Sequence, residues 1–90
     1  MIIRYFADIR ELMGRKEETW TKAVPDMRSL LEGLAAEHGS AFGKRVFDGD
    51  QLNSTIILFI NGRDVVHLKG LDSPLKSDDV VAIFPMVAGG

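Results

Sequence analysis

Thr55-Ile56-Ile57-Leu58-Phe59-Ile60-Asn61-Gly62-Arg63 decides the fold. A β-branched, aliphatic and aromatic run ends at Asn-Gly, a pair suited to the two positive-φ positions of a tight hairpin turn. The stretch predicts a strand over 55–60 and a return strand over 63–68. The first strand is apolar on both parities, which calls for burial on both faces or a central place in the sheet. Toward the C-terminus, 70–79 reads as a loop, with Pro74 and the Asp78-Asp79 pair. Adjacent carboxylates ahead of a strand suit a turn rather than acid–base chemistry. Val80 to Phe84 is the last strand, and Pro85, lacking an N–H, ends its ladder. Met86-Val87-Ala88-Gly89-Gly90 then reads as a free tail over 86–90, behind a folded domain over 1–85. Glycine has no Cβ, so such a tail can thread a narrow crevice, and its last atoms are a carboxylate open to activation by a nucleotide.

Toward the N-terminus, Asp48-Gly49-Asp50 is a turn and Ala41 to Phe47 a helical turn or two. Met27, Leu30, Leu31, Leu34 and His38 recur at helical spacing, with Asp26 as N-cap and Gly39 as the stop. Glu17 to Thr21 is charged enough for an edge strand, with Trp20 packed or half exposed. Ile2 to Phe6 is the first strand: Ile3 and Tyr5 share one face, and Ile2, Arg4 and Phe6 the other. Asp8 and Glu11 have capping-box spacing for a short helix through Leu12 and Met13, stopped at Gly14. One amphipathic helix across a mixed sheet is an α+β arrangement. With the first and last strands side by side, the tail leaves from the end of the sheet.

Ninety residues make one domain, large enough for a core without staples. The chain has no cysteine, which excludes disulfides, thiolate metal sites and a cysteine nucleophile. With 11 basic and 13 acidic residues, a net charge of −2 gives no basic footprint for nucleic acid. No apolar run is long enough for a transmembrane helix, so no membrane partner is expected. Met1-Ile2-Ile3-Arg4-Tyr5 is strand-like rather than a signal peptide, and a cytoplasmic location is expected. His38 on the apolar stripe suits packing or the helix C-terminus, and His67 has no ligand cluster around it, so no metal site is expected. Met13, Met27 and Met86 read as packing residues. Lys44-Arg45, Lys69 and Lys76 read as solvated surface.

Three stretches carry a resemblance over nearly the whole chain. Phe6-Ala7-Asp8-Ile9-Arg10-Glu11-Leu12-Met13-Gly14, Leu58-Phe59-Ile60-Asn61-Gly62-Arg63 and Asp79 to Gly90 resemble, in order, three motifs of one family. These are an N-terminal Phe-Ala-x-x-Arg-Glu-Leu-x-Gly, a central Val-Asn-Gly hairpin, and the ending Asp-x-Val-Ala-x-Phe-Pro-Pro-Val-x-Gly-Gly. The family is the molybdopterin synthase small subunit (MoaD-like) group of ubiquitin-like β-grasp sulfur carriers. The resemblance implies a β-grasp fold of about five strands on one main helix, with a free Gly-Gly tail. Met86 departs from it, standing where the family usually has a second proline.

The resemblance also implies a chemistry. Gly90 is the reacting residue: an E1-like adenylyltransferase converts its carboxylate into an acyl-adenylate with ATP. Sulfur from a sulfurtransferase or persulfide donor then leaves a thiocarboxylate. A larger molybdopterin synthase subunit receives the tail, and the sulfur goes to a pterin precursor. Phe6 and Phe84 match the family's apolar docking surface, and Pro85, Met86, Val87, Ala88 and Gly89 match the segment its partners grip. On this reading the chain is a co-substrate and small subunit rather than a stand-alone enzyme, and binds no cofactor itself. The residues agree in two respects. No phosphate-binding Gly-x-x-x-x-Gly-Lys-Ser/Thr loop is present, so ATP must be supplied through the activating enzyme. Without cysteine, sulfur can be carried only at the C-terminus. The alternatives are a ubiquitin-like modifier joined to lysines through Gly90, a carrier for thiazole or tRNA thiolation, and a binding module with an inert tail.

Overall fold

The structure, a computed structural model, describes residues 1–86. Val87, Ala88, Gly89 and Gly90 lie outside the described residues, and with them most of the expected tail. Strands β1 (Ile2–Tyr5), β2 (Glu17–Thr19), β5 (Ile56–Ile60), β6 (Arg63–Asp64) and β7 (Val80–Pro85) form one sheet in the order β2-β1-β7-β5-β6. β1 and β7 run parallel, with Ile2 opposite Val80 and Tyr5 opposite Ile83, while the other pairs are antiparallel. Helix α1 (Ala7–Met13) follows β1. α2 (Met27–His38) and α3 (Ser40–Val46) come between β2 and a separate hairpin, β3 (Phe47–Asp48) with β4 (Gln51–Leu52). This is the α+β arrangement expected from the sequence, with the first and last strands side by side.

Strand parity builds the core. Ile3, Tyr5, Leu58, Val81 and Ile83 are fully buried on one face of the sheet, in one cluster with Met27, Leu30, Leu31 and Leu34 of α2. Each such side chain contributes roughly 1.5–3 kcal/mol when fully buried. α2 starts at Asp26, whose carboxylate accepts from the Ser29 N–H at 2.9 Å, and ends at Gly39. His38 packs at the edge, with Nε2 2.9 Å from Glu18 Oε2. Tyr5 donates to the same carboxylate oxygen at 2.7 Å, so one β2 side chain links β1 and α2.

Several local expectations give way. The N-cap of α1 is Phe6, without a side-chain bond, because Asp8 lies inside the first turn and is taken by Arg45. The return strand stops at Asp64, whose carboxylate accepts from the Val66 N–H and starts a 3-10 turn over Val65–His67. His67 therefore sits on that turn rather than on a strand, and the 70–79 loop contains another 3-10 turn, Gly70–Asp72. The turn expected at Asp48-Gly49-Asp50 is present, and it closes a short hairpin after α3 that is not expected from the sequence. Trp20, by contrast, is packed as one of its two readings has it, at 5% exposure, and its indole N–H has no partner among the described residues. Met86 is 56% exposed instead of packed. Strand pairing also runs past Phe84: Pro85 stands opposite Ile56, and the Met86 N–H donates to the Thr55 carbonyl at 2.6 Å.

Candidate functional site

The face of the sheet away from α2 carries the side chains of opposite parity. β5 and β7 pair Ile57 with Phe84 and Phe59 with Ala82. All four are only partly buried, in contrast to Leu58, Val81 and Ile83 beside them. Phe6 joins them from the end of β1. Its ring lies edge-on to Phe84 at a centroid distance of 5.7 Å, and Phe59 is tilted against Phe84 at 5.2 Å. Phe6 is 38% exposed. Together with Ala7, Ala82 and Pro85 these rings line a shallow, almost wholly apolar groove. A contiguous apolar patch of this kind marks an interaction surface more often than scattered exposed residues do.

The backbone explains why Phe6 faces outward. Its N–H donates to the Ile83 carbonyl at 3.1 Å, so it still belongs to the sheet. Ala7 then takes φ +52°, a left-handed conformation costly for a residue with a Cβ, and the chain turns directly into α1. The Phe6 carbonyl accepts from the Ile9 and Arg10 N–H groups. The Arg10 guanidinium sits 5.8 Å from the centre of the Phe6 ring, and its Nε donates to the Tyr5 carbonyl at 3.3 Å. A cation thus borders the groove at its Phe6 end.

The start of β7 is fixed by polar contacts. The Asn61 side chain donates to Asp79 Oδ1 at 2.8 Å and accepts from the Val80 N–H, while Asp79 Oδ2 accepts from the Lys76 N–H at 2.7 Å. Asp79 thus orders a turn, as its sequence neighbourhood suggests. Asn61 (φ +51°) and Gly62 (φ +82°) make the tight turn their pair predicts.

Of the residues singled out from the sequence, Phe6, Phe84 and Pro85 line one groove, and Met86 stands exposed just beyond it. Val87, Ala88, Gly89 and Gly90 lie outside the described residues. Phe59, Ile57 and Ala82 were missed on this surface. Their signal was the apolarity of 55–60 on both parities, which burial against helices satisfies on one parity only. None of the described side chains that line the groove itself is polar. Among the described residues no group of three His, Cys, Asp or Glu side chains is placed to hold a metal ion, and no helix is long and apolar enough to cross a membrane.

A family model described as the ThiS family matches residues 3–90. The chain belongs to the ThiS family. The chain is 37% identical to small archaeal modifier protein 3 of Haloferax volcanii, over 98% of this chain and 96% of that protein. It is 30% identical to the molybdopterin synthase sulfur carrier subunit of Escherichia coli, again over 98% and 96%. The solution structure of small archaeal modifier protein 1 from Methanosarcina acetivorans superposes with a TM-score of 0.84 at 30% identity, covering 99% of this chain and 94% of that one. The fold is the ubiquitin-like β-grasp, and the relatives of this ThiS-family chain include both sulfur carriers and protein modifiers.

Proposed function

We propose that this chain is a sulfur carrier for molybdopterin synthesis that reacts through the Gly90 carboxylate. The observation that carries the reading is the apolar groove of Phe6, Phe59 and Phe84 at the end of β7, the strand that leads straight into Met86 and the Gly-Gly sequence. A docking surface continuous with the tail's root lets a partner grip the domain and receive the terminus at once. An E1-like enzyme supplies ATP and forms the acyl-adenylate with release of pyrophosphate. A persulfide donor displaces AMP, and a thiol supplies two electrons to free the thiocarboxylate. The molybdopterin synthase large subunit then takes the same groove, and the sulfur passes to the pterin. This chain supplies the groove, the tail and the carboxylate, in the cytoplasm, as a co-substrate.

A second reading has its own support. The 37% relative is named a modifier, so Gly90 joined to target lysines follows from the same activation step. The test is ATP–pyrophosphate exchange by the host's E1-like enzyme with the full chain and with Gly90 deleted. Exchange with the full chain alone supports acyl activation, and equal exchange with both refutes it. Adding the large subunit and the pterin precursor then separates the readings: dithiolene formation marks the carrier, and lysine conjugates without it mark the modifier.

A further inference from the structure

Met86 leaves the sheet with its amide held. Its N–H donates to the Thr55 carbonyl at 2.6 Å. Thr55 is itself fixed from two sides. Its N–H and its hydroxyl donate to Asn53 Oδ1 at 2.9 and 2.7 Å, and the hydroxyl accepts from Arg45 Nη1 at 3.0 Å. Arg45 is locked in turn, with Nε 2.7 Å from Asp8 Oδ2 and Nη2 3.4 Å from Asp8 Oδ1. The bonds run from α1 through α3 to the residue before β5, and end on the amide at the root of the tail. The Asp8 side chain is 51% exposed, so the pair adds little to global stability. A two-pronged guanidinium–carboxylate contact is nonetheless a strong geometric constraint.

The identity of residue 86 gives this arrangement its meaning. The sequence motif this chain resembles has proline there, which would restrain the exit by fixing φ. Proline has no N–H and could not make the bond to Thr55. We propose that Asp8, Arg45 and Thr55 clamp the Met86 amide and so set where the Gly90 carboxylate is presented for acyl activation. The proposal rests on Gly90 as the reacting residue. Four residues take the chain from Met86 to Gly90, and each spans at most about 3.6 Å, so the root confines the carboxylate to within about 14 Å. Fixing the root narrows the volume the carboxylate must search to reach the activating site, and restraint of this kind speeds a reaction that depends on proximity. Asp8, Arg45 and Thr55 are positioning residues. None of them lines the apolar groove, so their loss leaves docking intact.

The test pairs two readouts on the full chain: amide hydrogen exchange at Met86, and the kcat and KM of ATP–pyrophosphate exchange by the host's E1-like enzyme. Arg45→Met is expected to speed Met86 exchange and lower kcat, each by about tenfold, with KM unchanged. Thr55→Val is expected to act in the same direction, and serves if Arg45→Met folds poorly. Met86→Pro restores the restraint by another route, so Arg45→Met combined with Met86→Pro should recover the kcat of Met86→Pro alone. A structural loss would not be rescued in this way. Unchanged Met86 exchange in both Arg45→Met and Thr55→Val, or faster exchange with kcat untouched, would overturn the proposal. A wild-type chain that is not activated, while Met86 exchange still responds to Arg45, would overturn the reading of Gly90 and leave the clamp standing.

Discussion

A Cβ added at Gly33 would lie 2.9 Å from Trp20 Cζ2, inside van der Waals contact with a buried ring. Glycine inside a helix ordinarily costs about 1 kcal/mol relative to alanine. Here it lets α2 approach the ring of Trp20, the residue after β2. Gly33→Val is therefore expected to destabilise by about 1–3 kcal/mol through overpacking, measured by urea unfolding. A stabilised variant would mean that the ring yields freely. At Tyr5, burial first, then the bond to Glu18 and its charge, push the phenol well above its ordinary value of 10.0. The folded state holds this proton more tightly than the unfolded chain does. The contribution is whole below pH 10.0 and is lost as pH rises beyond it toward the raised folded value. The urea midpoint should fall above that pH, and Tyr5→Phe should flatten the fall. An alkaline limb of the same slope in Tyr5→Phe would contradict the assignment.

At the scale of elements, α2 was legible because its stripe, its N-cap and its stop agree. Asp26→Ala removes the acceptor for the Ser29 N–H and is expected to cost about 1 kcal/mol, or about 4–8 °C in Tm for a domain of this size. An unchanged Tm would show that another group takes over the cap. The strands at 2–6, 55–60 and 80–84 were legible from their composition. What misled were polar contacts and pairings that hydropathy periodicity does not specify, some local and some distant in sequence. Asp8 and Glu11 have capping-box spacing, yet Asp8 is taken by Arg45, 37 residues on. Asp64 reads as part of a strand but turns its carboxylate to the Val66 N–H and ends the ladder after two residues. Pro85 does not end the pairing of β7, because the N–H of the next residue, Met86, carries it on by donating to the Thr55 carbonyl.

At the scale of the whole molecule, one sheet separates two tasks. Its inner face, with α2, holds the fold. Its outer face holds the aromatic groove. Phe6 and Phe84 were legible as members of that face from strand parity and motif, but Phe59 was not. Which strand pairs with β7 sets the third ring, and pairing is not written in local spacing. Phe59→Asp is expected to leave Tm nearly unchanged while raising the KM for the activating enzyme by about tenfold or more, as loss of an aromatic anchor does. A large loss of Tm with unchanged KM would place Phe59 in the fold rather than in docking. The central claim is that the Gly90 carboxylate carries sulfur. Its most direct test is intact-protein mass spectrometry of the full chain after incubation with the host's E1-like enzyme, ATP, a persulfide donor and a thiol. The account predicts a mass gain equal to sulfur replacing one oxygen, mapped by fragmentation to Gly90. An unmodified Gly90, when the enzyme has consumed ATP and thiolated a known carrier in the same mixture, would contradict it.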